Sequence, residues 1–149
     1  MNNALSAPTP AVGVVCFRDD EVLLIRRGTP PRLGEWSLPG GRIEPGERAR
    51  DAARRELMEE TGIQARIGPL IDVVDGIFPD IGRHYVLIDY LATWMAGEPR
   101  AGDDAAEARF WPIGEALALV DWSETRRIIA MADRMRDESV SLDRRAGNR

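Results

Sequence analysis

The chain has 149 residues, 44% of them hydrophobic and 30% charged, with a formal net charge of −5. That length suits one domain with its own core, and the acidic balance excludes a general binder of nucleic acids or membrane surfaces, whose footprint is basic. The lone cysteine, Cys16, excludes a disulfide framework and fits a reducing compartment.

Residues 1–9 are small, polar and proline-containing, and read as a loose arm without the charged and apolar regions of a signal peptide. No apolar run approaches the roughly 18 residues of a membrane span, so a soluble, cytoplasmic protein is expected, with its domain over 10–137. The runs AVGVVCF and VLLI, separated by Arg18-Asp19-Asp20-Glu21, predict a hairpin with strands near 11–18 and 21–27. Their near-continuous apolarity predicts a sheet covered on both faces. The hairpin ends in Arg26-Arg27, either solvated strand-end arginines or a grip for substrate phosphate. After the loop GTPPRLGE, Trp36-Ser37-Leu38 reads as a short strand closed by Pro39-Gly40-Gly41, where successive glycines allow close approach to the backbone.

Residues 47–61 read as a helix ended by Gly62 in the left-handed position. At 100° per residue, Ala49, Ala52 and Ala53 share a face that continues into Glu56, Glu59 and Glu60. Carboxylates at i, i+3 and i+4 repel one another and raise each other's pKa on a partly buried face. A multivalent cation among the oxygens relieves both, so the spacing points to a Mg²⁺-type site. Asp51 and Arg55, at i and i+4, form an expected ion pair.

Strands are expected over Ile63–Asp75, with a bend or bulge at Gly68-Pro69, and over His84–Met95. The second is apolar on both parities apart from Asp89 and Thr93. His84, the only histidine, reads as structural. An acidic loop at Gly102-Asp103-Asp104 precedes Glu107–Trp111, then a short helix near 114–120 and a last helix near 124–136, capped by Ser123. The tail over 138–149 is polar and expected to be disordered.

The central stretch has a fuller pattern: Gly41, five residues, Glu47, seven residues, then Arg55-Glu56-Leu57-Met58-Glu59-Glu60-Thr61-Gly62-Ile63. It resembles the signature of the Nudix (MutT/Nudix) hydrolases at every fixed position. The N-terminal hairpin, the W-S-L-P-G-G before the signature and the E-x-x-x-W after it extend the resemblance over roughly residues 10–136.

The resemblance implies an α/β (α+β) fold, an α/β/α sandwich with a mixed central sheet and a loop–helix–loop motif. It also implies hydrolysis of the pyrophosphate bond of a nucleoside diphosphate linked to another moiety. By the same resemblance Glu56, Glu59 and Glu60 hold Mg²⁺ (or Mn²⁺), with a carbonyl at Gly40 or Gly41. Arg55 orients a glutamate and is held by Asp51 or Glu47, and Glu47 itself ranks below the other three as a ligand. A further carboxylate is expected from Glu107, with Asp103 and Asp104 as competitors, and Arg27 aligns with a phosphate-binding arginine. The general base is one of Glu59, Glu60 and Glu107. Trp36, Phe78, Tyr85 and Trp111 are candidates to stack a base.

Around the signature, the sequence looks most like bacterial ADP-ribose pyrophosphatase-type members. ADP-ribose or a related nucleotide sugar is the first substrate expectation, and a MutT-type nucleoside triphosphate pyrophosphohydrolase is the alternative. A non-catalytic nucleotide sensor is the reading from another class, opposed by the intact signature. The expected partners are a small nucleoside diphosphate derivative and, as the resemblance implies, a second copy of the chain, with no stable nucleic acid and no membrane.

Overall fold

The computed structural model describes residues 4–102 and 104–147, apart from the side chains of residues 140–142. It holds strands β1 (Thr9–Arg18), β2 (Glu21–Arg27), β3 (Trp36–Ser37), β4 (Gly40–Arg42), β5 (Gln64–Phe78), β6 (Arg83–Ala96) and β7 (Ala105–Pro112), and helices α1 (Ala49–Thr61), α2 (Ile113–Leu119) and α3 (Ser123–Ala146). The main path of the sheet runs β3-β2-β1-β6-β5, with β4 paired to β1 and β7 to β2. β1 and β6 are parallel while their other pairings are antiparallel. The expected mixed sheet is therefore present.

The layering follows from side chains alternating across each strand. On β1, Val12, Val14 and Cys16 pack with Ala52, Ala53 and Leu57 of α1. Val15 and Phe17 face the other way, onto Ala116 of α2 and Ile128, Ile129 and Ala132 of α3. Both faces of β1 and β2 are thus covered, as their unbroken apolar runs require. Burial pushes the Cys16 thiol up to about 12, which leaves it an inert core group.

The alanine stripe of α1 does what small side chains allow. Ala52 and Ala53 are fully buried, which brings the helix close to the sheet and its carboxylates down to the strand ends. Gly62 ends the helix with φ 71° and donates its N–H to the Met58 carbonyl. The β5–β6 register shifts on either side of Leu70, in the stretch where Gly68-Pro69 predicts a bulge. The hairpin closes more tightly than the sequence implies, through a 3₁₀ turn over Pro79–Ile81.

Two expectations need correction. α3 continues to Ala146 rather than stopping near 136, because a polar surface helix needs no further apolar stripe once its first turns are docked. Asp51 pairs with Arg54 at 2.9 Å and not with Arg55, whose donors are engaged elsewhere. Among the described residues, no helix is long and apolar enough to cross a membrane.

Candidate active site

A cavity of about 440 Å³ opens where β1, β4, β6, α1 and the start of α3 converge. Its rim at one end carries Glu56, Glu60, Arg27, Gly40, Gly41 and Asp104; at the other lie Phe78, Tyr85, Leu87, Trp122 and Asp89. One end is charged and built on α1, and the other is largely aromatic and built on the β5–β6 hairpin and α3.

Arg55 organises the charged end. Its Nε and Nη2 donate to the two carboxylate oxygens of Glu47 at 2.8 and 2.9 Å, a bidentate pair. Nη1 donates to Glu56 Oε1 at 2.8 Å and Glu59 Oε2 at 3.1 Å, and Nη2 also reaches the Arg42 carbonyl at 3.0 Å. All five guanidinium N–H groups are thereby spoken for, which leaves none for Asp51. The guanidinium beside Glu47, with the Glu44 N–H, holds that carboxyl down to about 2. Glu47 is an anion committed to Arg55.

Glu56 and Glu60 are the carboxylates turned inward. Burial raises Glu56 above the usual carboxylate range, opposed by its bond to Arg55. Burial also pushes Glu60 up to about 7, opposed by the Gly40 N–H that donates to its Oε2 at 3.2 Å and reinforced by Glu56. Gly41 makes room for the Glu56 carboxylate, and Gly40 lets β4 lie close against β1. A Cβ on Gly41 would stand 2.4–2.6 Å from the Glu56 carboxylate, and one on Gly40 would stand 2.0 Å from the Val12 carbonyl oxygen.

A NUDIX domain match spans residues 7–132. The chain belongs to the Nudix hydrolases. It is 37% identical over 112 residues to an ADP-ribose pyrophosphatase of Methanocaldococcus jannaschii, a match covering 75% of this chain and 66% of that protein. It is 35% identical over 129 residues to a putative 8-oxo-dGTP diphosphatase 2 of Mycobacterium tuberculosis, covering 83% of this chain and 88% of that one. Among solved structures, a MutT NUDIX hydrolase from Burkholderia pseudomallei superposes with a TM-score of 0.73 at 32% identity, covering 85% of this chain and 98% of that chain.

Within this Nudix fold the residues singled out by sequence fall into three groups. Glu56, Glu60, Gly40, Gly41 and Arg27 meet at the cavity, and Arg27 Nε is steadied by the Pro31 carbonyl at 2.6 Å. Glu59 belongs to the Arg55 cluster, but its side chain is 46% exposed and does not line the cavity. Glu107 is not brought to the site. It lies in β7 directly opposite Arg26 of β2, and the two pair at 3.1 Å. The carboxylate that does reach the cavity from this segment is Asp104. Its loop is tied down by the Gly102 N–H donating to the Glu60 carbonyl and by the Gly28 N–H donating to the Asp104 carbonyl. Asp103, the other competitor, lies outside the described residues.

Of the aromatic candidates, Phe78 and Tyr85 border the cavity. Trp36 and Trp111 instead pack edge to face at 5.2 Å, away from it. Sequence reasoning missed Trp122, whose ring lies 5.7 Å from Phe78. The only signal for it was an aromatic residue next to a helix start.

Proposed function

We propose that the chain hydrolyses the pyrophosphate bond of a nucleoside diphosphate linked to a second moiety, with ADP-ribose or a related nucleotide sugar as substrate. The observation that carries this reading is the polarity of the cavity: half-buried carboxylates and Arg27 at one end, aromatic rings at the other. Diphosphate oxygens suit the first end and a nucleoside the second.

A divalent cation fits the charged end. Its donors are hard oxygens, two of them on carboxylates held above their ordinary range by burial, a cost that a bound cation relieves. Among the described residues no three acidic, histidine or cysteine side chains converge to cage an ion. Mg²⁺ is commonly held by one or two carboxylates together with substrate phosphates. Glu56 and Glu60 are the side chains that would hold it, with a carbonyl at Gly40 or Gly41, and Asp104 takes the place expected of Glu107. When bound, the cation supplies positive charge to the diphosphate oxygens. Arg27 adds a second cation from the β2 end. Arg55 fixes Glu56 and Glu59 while Glu47 holds its other edge.

The reading is tested by a hydrolysis screen with Mg²⁺ or Mn²⁺ over ADP-ribose, nucleotide sugars, nucleoside triphosphates and dinucleoside polyphosphates, with products identified by mass. Cleavage of ADP-ribose to AMP and ribose phosphate is expected, and no turnover of any of these compounds overturns the reading. Preference for nucleoside triphosphates would favour the second reading, a MutT-type pyrophosphohydrolase. The mycobacterial relative, matched over most of its own length, supports that alternative.

A further inference from the structure

The buried polar or charged residues among those described are Thr61, Asp89 and Thr125. Thr61 is accounted for: its hydroxyl donates to the Leu57 carbonyl and accepts from the Ile63 N–H. Asp89 and Thr125 are different. Both border the cavity, and among the described residues no hydrogen bond reaches either side chain. Asp89 is 5% exposed in the middle of an apolar strand. Its oxygens are not among the fully enclosed side-chain atoms without a partner, so they open onto the cavity and are accessible to a ligand there.

Its position identifies the part of the ligand. Gly13 of β1 stands opposite Asp89 of β6 on one side and Gly40 of β4 on the other. Three strands abreast place Asp89 about 10 Å from Gly40, two strand spacings away, and Gly40 is where the Glu60 carboxylate is held. The Asp89 carboxyl also leans along this row, since a Cβ on Gly13 would stand 2.2 Å from its Oδ1. The row therefore reads Glu60, Gly40, Gly13, Asp89, with a carboxyl at each end and no side chain between. A diphosphate at the Glu60 end puts its own nucleoside at the Asp89 end, where Phe78 and Tyr85 supply apolar faces and Trp122 carries the Arg32 guanidinium 5.6 Å over its ring.

The acids nearest Asp89 do not compete for this place. Asp72, its partner in the β5–β6 register, and Glu124 are both paired with Arg127, at 3.0 and 2.7 Å. Asp89 is the acid left free to receive N–H groups from a ligand.

We propose that Asp89 selects the nucleobase, its carboxyl engaging the exocyclic amino group on the pairing edge of an adenine- or guanine-bearing nucleotide. The proposal rests on the reading of the cavity as a nucleoside diphosphate site. The ring nitrogen beside that amino group gives the carboxyl a second contact: the acid form donates to N1 of adenine, and the carboxylate accepts from N1–H of guanine. Hypoxanthine has no amino group and offers one contact fewer.

The test is equilibrium binding of ADP, GDP and IDP to the full chain with Mg²⁺ present, alongside thermal melting, for the unaltered protein and for Asp89→Val and Gly13→Ala. The unaltered protein is expected to bind ADP or GDP about tenfold or more tightly than IDP, the effect of one hydrogen bond to a charged group. Asp89→Val should bring that ratio to within about twofold without lowering the melting temperature, since the carboxyl it removes has no partner in the fold. Gly13→Ala, which pushes the carboxyl aside, should lower the ratio in the same direction. A ratio near one in the unaltered protein, or a ratio that survives in Asp89→Val, overturns the proposal. So does an Asp89→Val chain that fails to fold, because the residue would then be structural. If base preference collapses as expected while the hydrolysis screen shows no turnover, the catalytic reading fails and the Asp89 assignment stands.

Discussion

Replacing Asp89 by Asn changes almost nothing in shape and removes a buried titratable group, so its effect on stability can be worked out from the structure. Burial, reinforced by Asp72 and Glu124 and opposed by Arg127, pushes the carboxyl up to about 7 from an ordinary 3.8. The folded chain therefore binds this proton more tightly than the unfolded chain does. Stability is unaffected by the group below about pH 4, falls as the pH rises from there to about 7, and carries the full cost above that. A gap of about three pH units at about 1.4 kcal/mol each gives a ceiling of about 4 kcal/mol. The ceiling is not reached where cavity water solvates the carboxylate. The expected result is that Asp89→Asn is more stable than the unaltered protein by more than about 1 kcal/mol at pH 8, and equal to it near pH 4. Urea denaturation of the metal-free protein at both values measures this, and comparing the two chains cancels the parallel contribution of Glu60. A variant equally stable at both pH values, or less stable at pH 8, would refute the claim that Asp89 is buried without a partner.

The charged end yields three more expectations. Glu60→Gln should lower turnover by at least about 10²-fold and raise the Mg²⁺ concentration needed for half-maximal rate; unchanged turnover would sink the assignment of Glu60 to the metal. Arg55→Lys replaces a five-donor fork with a point charge, and should cost about 10–100-fold in metal affinity or rate while the far-ultraviolet spectrum stays unchanged. Gly41→Ala places a methyl group against the Glu56 carboxylate, so turnover should fall by about tenfold or more with a smaller effect on melting. Glu107→Gln, by contrast, should leave turnover within about twofold, because the partner it loses is Arg26 on an exposed strand pair.

The charged end was legible because its parts are close together in sequence. A helix repeats its faces every few residues, so Ala52, Ala53, Glu56 and Glu60 could be placed on one side of α1 from their spacing alone. Gly41, which makes room for Glu56, lies on the other side of a single turn of chain. Glu107 was misplaced for a reason of the same kind. Where a loop ends and a strand begins is set by pairing with β2, and once β7 starts at Ala105 the carboxylate at 107 is committed to its cross-strand neighbour. The pattern of AAEARFW fits a strand but does not fix its first residue. The extension of α3 past 136 was equally invisible, since nothing in a polar run distinguishes an exposed helix from a solvated tail.

The aromatic end could not be read this way at all. Asp89 was visible as the one acid in HYVLIDYLATW, but its meaning depends on Gly13, 76 residues earlier in the chain, standing beside it in a parallel register that local sequence does not encode. The same distance in sequence has a physical consequence. Glu56 and Glu60 are fixed by α1 and its short turn, whereas Asp89, Phe78 and Trp122 come from β6, the end of β5 and the approach to α3. Substitutions at the aromatic end can therefore change which base is accepted without moving the carboxylates at the other. The two ends share β1, on which Gly13 stands between Gly40 of β4 and Asp89 of β6. A side chain on Gly13 would fill the row between them, which makes this glycine a position where substrate choice and hydrolysis cannot be altered separately.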